Sequence, residues 1–117
     1  MSLEATIKTL LGPLVGGRLY ADITPDNPTF PLIVYQQVGG RTTEYADQTI
    51  PDKEHARVQV MVWAKSRLEA SQIARAARAA IIGSDMPAQT YAAPVSLYQE
   101  ELKLYGGRTD FGIWYAP

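Results

Sequence analysis

The residues with the greatest capacity for chemistry are few and scattered in this chain. It has one histidine, His55, and no cysteine, so a two-histidine metal site, a thiolate site and a cysteine nucleophile are all excluded. Three acidic residues, Asp47, Asp52 and Glu54, lie close in sequence, but they lack the spacing of an EF-hand loop and Pro51 interrupts them. We therefore predict no catalytic centre, no metal and no cofactor. His55 is expected at the surface, and the acidic residues are expected to solvate a loop.

Three arginines are the strongest candidates for binding a charged partner. Arg67, Arg75 and Arg78, with Ser71 between them, recur at helical spacing and form one polar stripe. Arginine grips phosphates through paired hydrogen bonds, so the stripe supports an alternative prediction, a nucleic-acid-binding module. A solvated helix face predicts the same pattern. Eleven basic residues against twelve acidic residues favour that simpler explanation, because nucleic-acid-binding domains normally carry a marked basic excess.

The secondary-structure pattern that must position these side chains is most regular after residue 55. Apolar residues alternate along a predicted strand from Ala56 to Ala64, which is typical of a strand with one buried face. The two faces are Ala56, Val58, Val60, Val62 and Ala64 on one side, and Arg57, Gln59, Met61 and Trp63 on the other. We assign the valine face to the core.

A helix is predicted to follow this strand directly. Ser66 and Glu69 have the spacing of a capping box, and an alanine-rich stripe recurs behind them at helical spacing. The stripe consists of Ala70, Ile73, Ala74, Ala77, Ala80 and Ile81. The three arginines are placed on the helix face away from it. Gly83 is expected to end the helix in the left-handed conformation, and the small stripe residues allow the helix to lie close to a sheet.

The rest of the chain is predicted to add one short helix and three strands. The helix begins after Ser2 and is broken at Gly12-Pro13. The strands are predicted at residues 31–38, 95–105 and 108–115, with a turn at Gly106-Gly107 between the last two. A polar connection, Arg41 to Lys53, is long enough to be a functional or mobile loop.

This order, α-β-β-α-β-β, predicts an α+β fold with two layers. A four-stranded antiparallel sheet would carry both helices on one face. The chain has 117 residues, which fits one domain spanning residues 1–117.

Apolar runs are only a few residues long, and Glu4 and Lys8 interrupt the apolar pattern at the start, so neither a membrane span nor a signal peptide is expected. The absence of cysteine fits a reducing cytosol.

The sheet face without helices is the predicted partner surface. Large apolar side chains exposed there mark a contact more often than solvent. The candidate interface residues are Tyr35, Met61, Trp63 and Trp114, and the candidate partner loop contributes Arg41, Glu44, Tyr45, Asp47 and Asp52. The alternative is that a loop such as residues 41–53 folds over this face and covers it.

Several stretches of the chain resemble a known family. They are LVGGRLY (residues 14–20), PLIVYQQVGG (31–40), RVQVMVWAKSRLEASQIARAARAAI (57–81) and RTDFGIWY (108–115). In this order, they resemble the small tail-completion proteins of tailed bacteriophages and prophages. The stretch from Tyr91 to Gly107 departs from the pattern.

The resemblance implies a structural role rather than an enzymatic one. Members of this family are similar to tail terminators, α+β domains that assemble into a ring, often of six subunits, at the head-proximal end of a tail. The implied partners are further copies of the chain, the tail tube and the head–tail connector proteins, with no membrane, no cofactor and no need for nucleic acid. The implied locations are the bacterial host cytoplasm during assembly and then the virion tail.

Overall fold

The computed structural model describes residues 2–42 and 53–116, which form two α-helices and six strands. In chain order they are α1 (Leu3–Leu11), a 3-10 turn (Gly12–Val15), β1 (Leu19–Ala21), β2 (Leu32–Gln37), β3 (Glu54–Ala64), α2 (Arg67–Ile82), β4 (Ala88–Thr90), β5 (Val95–Gln99) and β6 (Leu104–Tyr115). None of the described helices is long and apolar enough to cross a membrane.

One mixed sheet contains all six strands, in the order β1-β2-β3-β6-β4, with β5 also paired to β6. β1 is parallel to β2, and the other pairs are antiparallel. The predicted α+β class with two helices is confirmed, whereas the four-stranded, purely antiparallel sheet is wrong. Two strands are missing from the predicted sheet, β1 and β4, which have three residues each. The glycine pair at residues 16–17 predicts an extended segment at residues 18–20, but it does not assign that segment to the sheet. Runs this short are too brief to show an alternating pattern.

Both helices pack on the same face of this sheet. The predicted alternation in β3 is confirmed, because Ala56, Val58, Val60, Val62 and Ala64 are all buried. They form one core with the inward side chains of both helices, namely Leu3, Ile7, Leu11, Ala74, Ala77 and Ile81. From β6, Phe111 and Ile113 complete this core. The opposite face of the sheet, which we call the open face, carries His55, Arg57, Gln59, Met61 and Trp63 from β3.

The predicted caps of α2 are confirmed at one end only. Ser66 Oγ accepts a hydrogen bond from the Glu69 N–H at 3.1 Å, as the capping-box spacing predicts. Gly83 is right-handed, with φ −81°, so the predicted left-handed cap is wrong. Its N–H donates to the carbonyl of Ala79 at 2.9 Å, which continues the helical hydrogen bonding without any left-handed residue.

The predicted turn at Gly106-Gly107 is also wrong, because both glycines lie inside β6. They pair with Trp63 and Val62 of β3, and the turn is formed earlier, between Gln99 and Leu104. A Cβ on Gly106 would lie 2.8 Å from the Trp63 ring, and a Cβ on Gly107 would lie 3.7 Å from Ala74 Cβ. The two glycines therefore let a tryptophan pack on one face of the strand and α2 pack on the other.

Candidate partner-binding surfaces

The open face places the predicted aromatic residues in two separate regions. Met61, Trp63 and Trp114 lie on this face, and all three are half-buried. Trp114 pairs with His55, which is eight residues along β3 from Trp63, or about 26 Å. Tyr35 pairs with the core residue Val60 and therefore lies on the helix-covered face, so its predicted place beside Met61 is wrong. Large apolar residues on both faces of β2 concealed its orientation.

The chain itself covers the Trp63 end of the open face. The proline-rich connection between β1 and β2, residues 22–31, contributes to a cavity of about 220 Å³. Its lining is Thr24, Pro28, Phe30, Leu32, Trp63, Gln99, Leu102 and Leu104. The predicted cover, the loop 41–53, lies outside the described residues over positions 43–52, and so do the candidate partner residues Glu44, Tyr45, Asp47 and Asp52. Of that set, Arg41 is described and exposed.

At the other end of the open face, His55 is the centre of a polar and aromatic cluster. It is only 8% exposed, so the prediction of a surface histidine is wrong. Its Nδ1 accepts the backbone N–H of Arg41 at 3.0 Å, its Nε2 lies 3.3 Å from the Tyr91 hydroxyl, and its ring packs edge-on against Trp114. Gly112 leaves the space for this arrangement, since a Cβ there would lie 2.8 Å from His55 Nε2.

These contacts favour the neutral imidazole. Because a backbone N–H donates to Nδ1, the ring proton belongs on Nε2, which donates to the Tyr91 oxygen. Burial, and secondarily the positive charge of Arg41, lowers the pKa of His55 below its usual value of 6.5. Protonating Nδ1 would break the bond to Arg41. The cluster is thus suited to holding β3 against residues 39–41 rather than to exchanging protons with a substrate.

We expect the stability of the fold to depend on pH through His55. Since the folded pKa is lowered, the unfolded chain binds more protons just below pH 6.5, so the free energy of unfolding should fall as pH drops from about 6.5 through the folded pKa. Urea unfolding between pH 7.5 and 5.5 measures this. His55→Gln should remove this part of the pH dependence, because His55 is the sole histidine. An NMR titration midpoint at or above 6.5 would contradict the assignment.

The same cluster extends to Arg57, which the sequence placed on the open face. Its Nε and Nη2 donate to Asp110 Oδ2 at 3.1 and 2.9 Å, and its guanidinium lies 4.8 Å from the centre of the Tyr91 ring. The side chain of Arg57 is 48% exposed, so this ion pair contributes little to stability. Tyr91 and Asp110 had no signal in the sequence as partners of His55 and Arg57, because both contacts depend on strand pairing.

The predicted arginine stripe lines a groove between α2 and β5, which we call the arginine groove. Its volume is about 350 Å³, and its lining is Arg67, Ala70, Ser71, Ala74, Arg75, Arg78, Pro94, Ser96 and Gly107. The arginines therefore border the alanine stripe instead of facing away from it. Arg67 donates to the carbonyls of Gly106 and Leu97, both at 2.7 Å, and lies 5.3 Å from the centre of the Tyr105 ring. Its guanidinium is thus committed to the protein's own backbone.

The opposite edge of the sheet is acidic, which the sequence analysis missed. Residues 21–27, beginning at the end of β1, are all exposed and include Asp22 and Asp26; we call residues 22–27 the acidic segment. Asp22 and Glu4 also line a cavity of about 250 Å³ beside Tyr35. Burial, then the negative charges of Glu4 and Asp22, raise the pKa of Tyr35. The available signal was the absence of Lys and Arg between Arg18 and Arg41.

Neither surface has the chemistry of a metal centre. In residues 2–42 and 53–116, no three His, Cys, Asp or Glu side chains are grouped closely enough to hold a metal ion. The arginine groove and the exposed acidic segment lie at opposite edges of the sheet, and their side chains can bind charged and apolar groups.

Comparisons with known proteins identify the family and the fold. No curated protein matches the chain. Among solved structures, a chain in the structure described as "Virion of native gene transfer agent (GTA) particle" is similar, with a TM-score of 0.65 and 15% identity over 97% of this chain and 93% of that chain. At this identity the match shows a shared fold. A family model described as "Tail completion protein gp17" matches residues 5–116. Because the match covers nearly the whole sequence, the chain belongs to the gp17 family of tail completion proteins.

Proposed function

We propose that this protein is a structural component of a phage-like particle, and that it assembles as one subunit of a ring at the head-proximal end of the tail. The observation that carries the proposal is the family match over residues 5–116. The similarity of fold to a chain of a gene transfer agent virion supports it. In this role the chain acts as a single domain without catalysis, and its partners are other copies of itself, the tail tube and head–tail connector proteins.

The geometry is suited to a ring because the sheet has two unequal edges. Within residues 2–42 and 53–116, no strand pairs with the outer edge of β1 or with the outer edge of β5. A contact between two different surfaces repeats from copy to copy, and it produces a ring when the rotation closes. Six copies would satisfy this requirement. Met61 and Trp114, on the open face, are candidates for contact with the tube or the connector, since half-buried aromatic and methionine side chains often carry interface energy.

The decisive experiment is to add the purified protein to assembled tail tubes and examine them by electron microscopy. We expect a ring of density at one end of each tube, and its rotational symmetry gives the number of subunits. The same tubes incubated without the protein serve as the control, because both of their ends should remain bare. Tubes with both ends bare after incubation with excess folded protein would overturn the proposal.

A further inference from the structure

We propose that the arginine groove of one copy receives the acidic segment of the next copy, so that opposite edges of the same sheet form the contact between neighbouring subunits. This proposal rests on the ring proposed above and names the surfaces that close it. The occupant of the groove is thus a second copy of this chain.

The two surfaces lie where such a contact requires them. The acidic segment follows β1 at one edge of the sheet, and the arginine groove lies beside β5 at the other edge. β2, β3 and β6 separate these edges, which places them about 19 Å apart across the sheet. A single copy cannot bring them together. A neighbouring copy can, and each subunit then uses one edge for the copy before it and one for the copy after it.

Their charges are complementary. The lining of the groove includes three arginines and no acidic side chain. Arg67 is held by two backbone carbonyls, whereas Arg75 and Arg78 make no salt bridge or side-chain hydrogen bond within the described part of the chain. The acidic segment supplies Asp22 and Asp26, with no Lys or Arg beside them. Guanidinium and carboxylate groups pair through two parallel hydrogen bonds, which fixes their orientation.

Their shapes and apolar surfaces also correspond. Between the two aspartates, Ile23 is 78% exposed, the most exposed large hydrophobic side chain in residues 2–42 and 53–116. The floor of the groove contains the small apolar residues Ala70 and Ala74, with Pro94 at its side. An isoleucine inserted there would remove its own apolar surface and that of the exposed Pro94 from water, which is favourable, and it would rest on alanines that are already buried. The segment thus presents an apolar side chain flanked by two carboxylates to an apolar floor flanked by arginines.

The segment is held in place before it binds. The Asp22 N–H donates to the Tyr35 carbonyl at 3.0 Å, and the Ile23 N–H donates to the Ala21 carbonyl at 2.8 Å. Pro25 and Pro28 further restrict the backbone. A segment that is already ordered loses little conformational entropy on binding, so a contact of modest area can suffice when a ring repeats it.

Charge exchange between the two surfaces tests the proposal. Arg75→Glu/Arg78→Glu makes the groove acidic. Asp22→Asn/Asp26→Arg makes the segment basic, with Asn chosen because residue 22 has φ 69°, a conformation that Asn tolerates. We expect each variant alone to lose ring formation on tubes, and an equal mixture of the two to restore it, since alternating copies then pair an acidic groove with a basic segment. Circular dichroism should show that both variants fold.

Two further measurements test the contact between the groove and the segment independently of whether the protein forms rings on tubes. The double variant Lys65→Glu/Lys103→Glu makes the same charge change at exposed positions outside the groove, and it should still form rings. In solution without tubes, sedimentation of the wild-type protein should show self-association that weakens as salt is raised from 50 to 500 mM. The reason is that salt screens exposed charges from one another, with a screening length of about 10 Å at 0.1 M. Wild-type rings on tubes would support the proposed function whatever the variants do.

Three results would overturn the edge contact. One is that both charge variants form rings alone as well as the wild type does. Another is that each variant folds and fails to form rings, but the mixture fails too. The third is salt-sensitive binding of duplex DNA at physiological salt that Arg75→Glu/Arg78→Glu abolishes, which would assign the groove to nucleic acid instead.

Discussion

Replacing Val60 by aspartate is expected to prevent folding. Val60 is 2% exposed, lies in the middle of β3, and pairs with Tyr35 on one side and Thr109 on the other. A carboxylate at this position would be buried without a partner and would cost several kcal/mol, which approaches the whole stability of a small domain, about 5–15 kcal/mol. Circular dichroism at 20 °C and urea unfolding measure the effect. The variant should show little native secondary structure.

Arg57→Ala is the matched control on the same strand. Arg57 points to the open face, and its bond to Asp110 is exposed, so its loss should cost less than about 1 kcal/mol. A Val60→Asp protein that folds with nearly wild-type stability would show that the register is displaced by one residue, since such a displacement exchanges the two faces of a strand.

Replacing Gly106 by valine is expected to destabilise the fold by about 1–3 kcal/mol or more, the usual range for overpacking. A Cβ there would lie 2.8 Å from Trp63 ring atoms and 3.1 Å from the Val62 carbonyl, and one of these neighbours belongs to the backbone of β3. The added methyl groups would therefore push Trp63 off the strand. The midpoint of urea unfolding and the fluorescence of Trp63 should both change.

Gly12→Ala provides the control for that glycine. Nothing lies within 4 Å of a Cβ built on Gly12, and its φ of −53° suits any residue. Alanine there should leave stability unchanged or raise it by about 0.4–1 kcal/mol, because it restricts the unfolded chain. Equal stability of the Gly106→Val and Gly12→Ala proteins would show that Trp63 does not rest on Gly106.

The parts of the fold that the sequence predicted are those with a long, unbroken period. In β3 the buried residues alternate from Ala56 to Ala64, and in α2 the serine cap is followed by sixteen helical residues, so local pattern and tertiary packing agree. The strand β2 was predicted, but which of its side chains face the helices was not, because Val34 and Tyr35 are neighbours that are both large and apolar. A three-residue strand such as β1 forms only because it pairs with a longer neighbour, here β2.

The errors at glycine and histidine have a common physical cause. Gly106 resembles a turn residue because glycine is common in turns. In the structure its lack of a side chain instead makes room for the Trp63 ring, and that contact depends on a residue 43 positions away in sequence. His55 looks exposed because it is polar, but Arg41 and Tyr91 satisfy both ring nitrogens. The arginine stripe was recognised, and the acidic segment opposite it was not, because only the sheet order shows that they lie at opposite edges.

The place of β6 in the sheet also determines when folding can finish during synthesis. β6 is the last strand along the chain, yet it lies between β3 and the pair β4 and β5, and it joins residues as distant as Glu54 and Tyr115. Until β6 has emerged from the ribosome, β4 and β5 have no strand to pair with, and one edge of β3 is bare. The nascent chain therefore carries an incomplete core until β6 emerges, and pairing over such long sequence separations is slow. Until β6 has paired, the bare edges of β3, β4 and β5 should make the nascent chain prone to association with other chains.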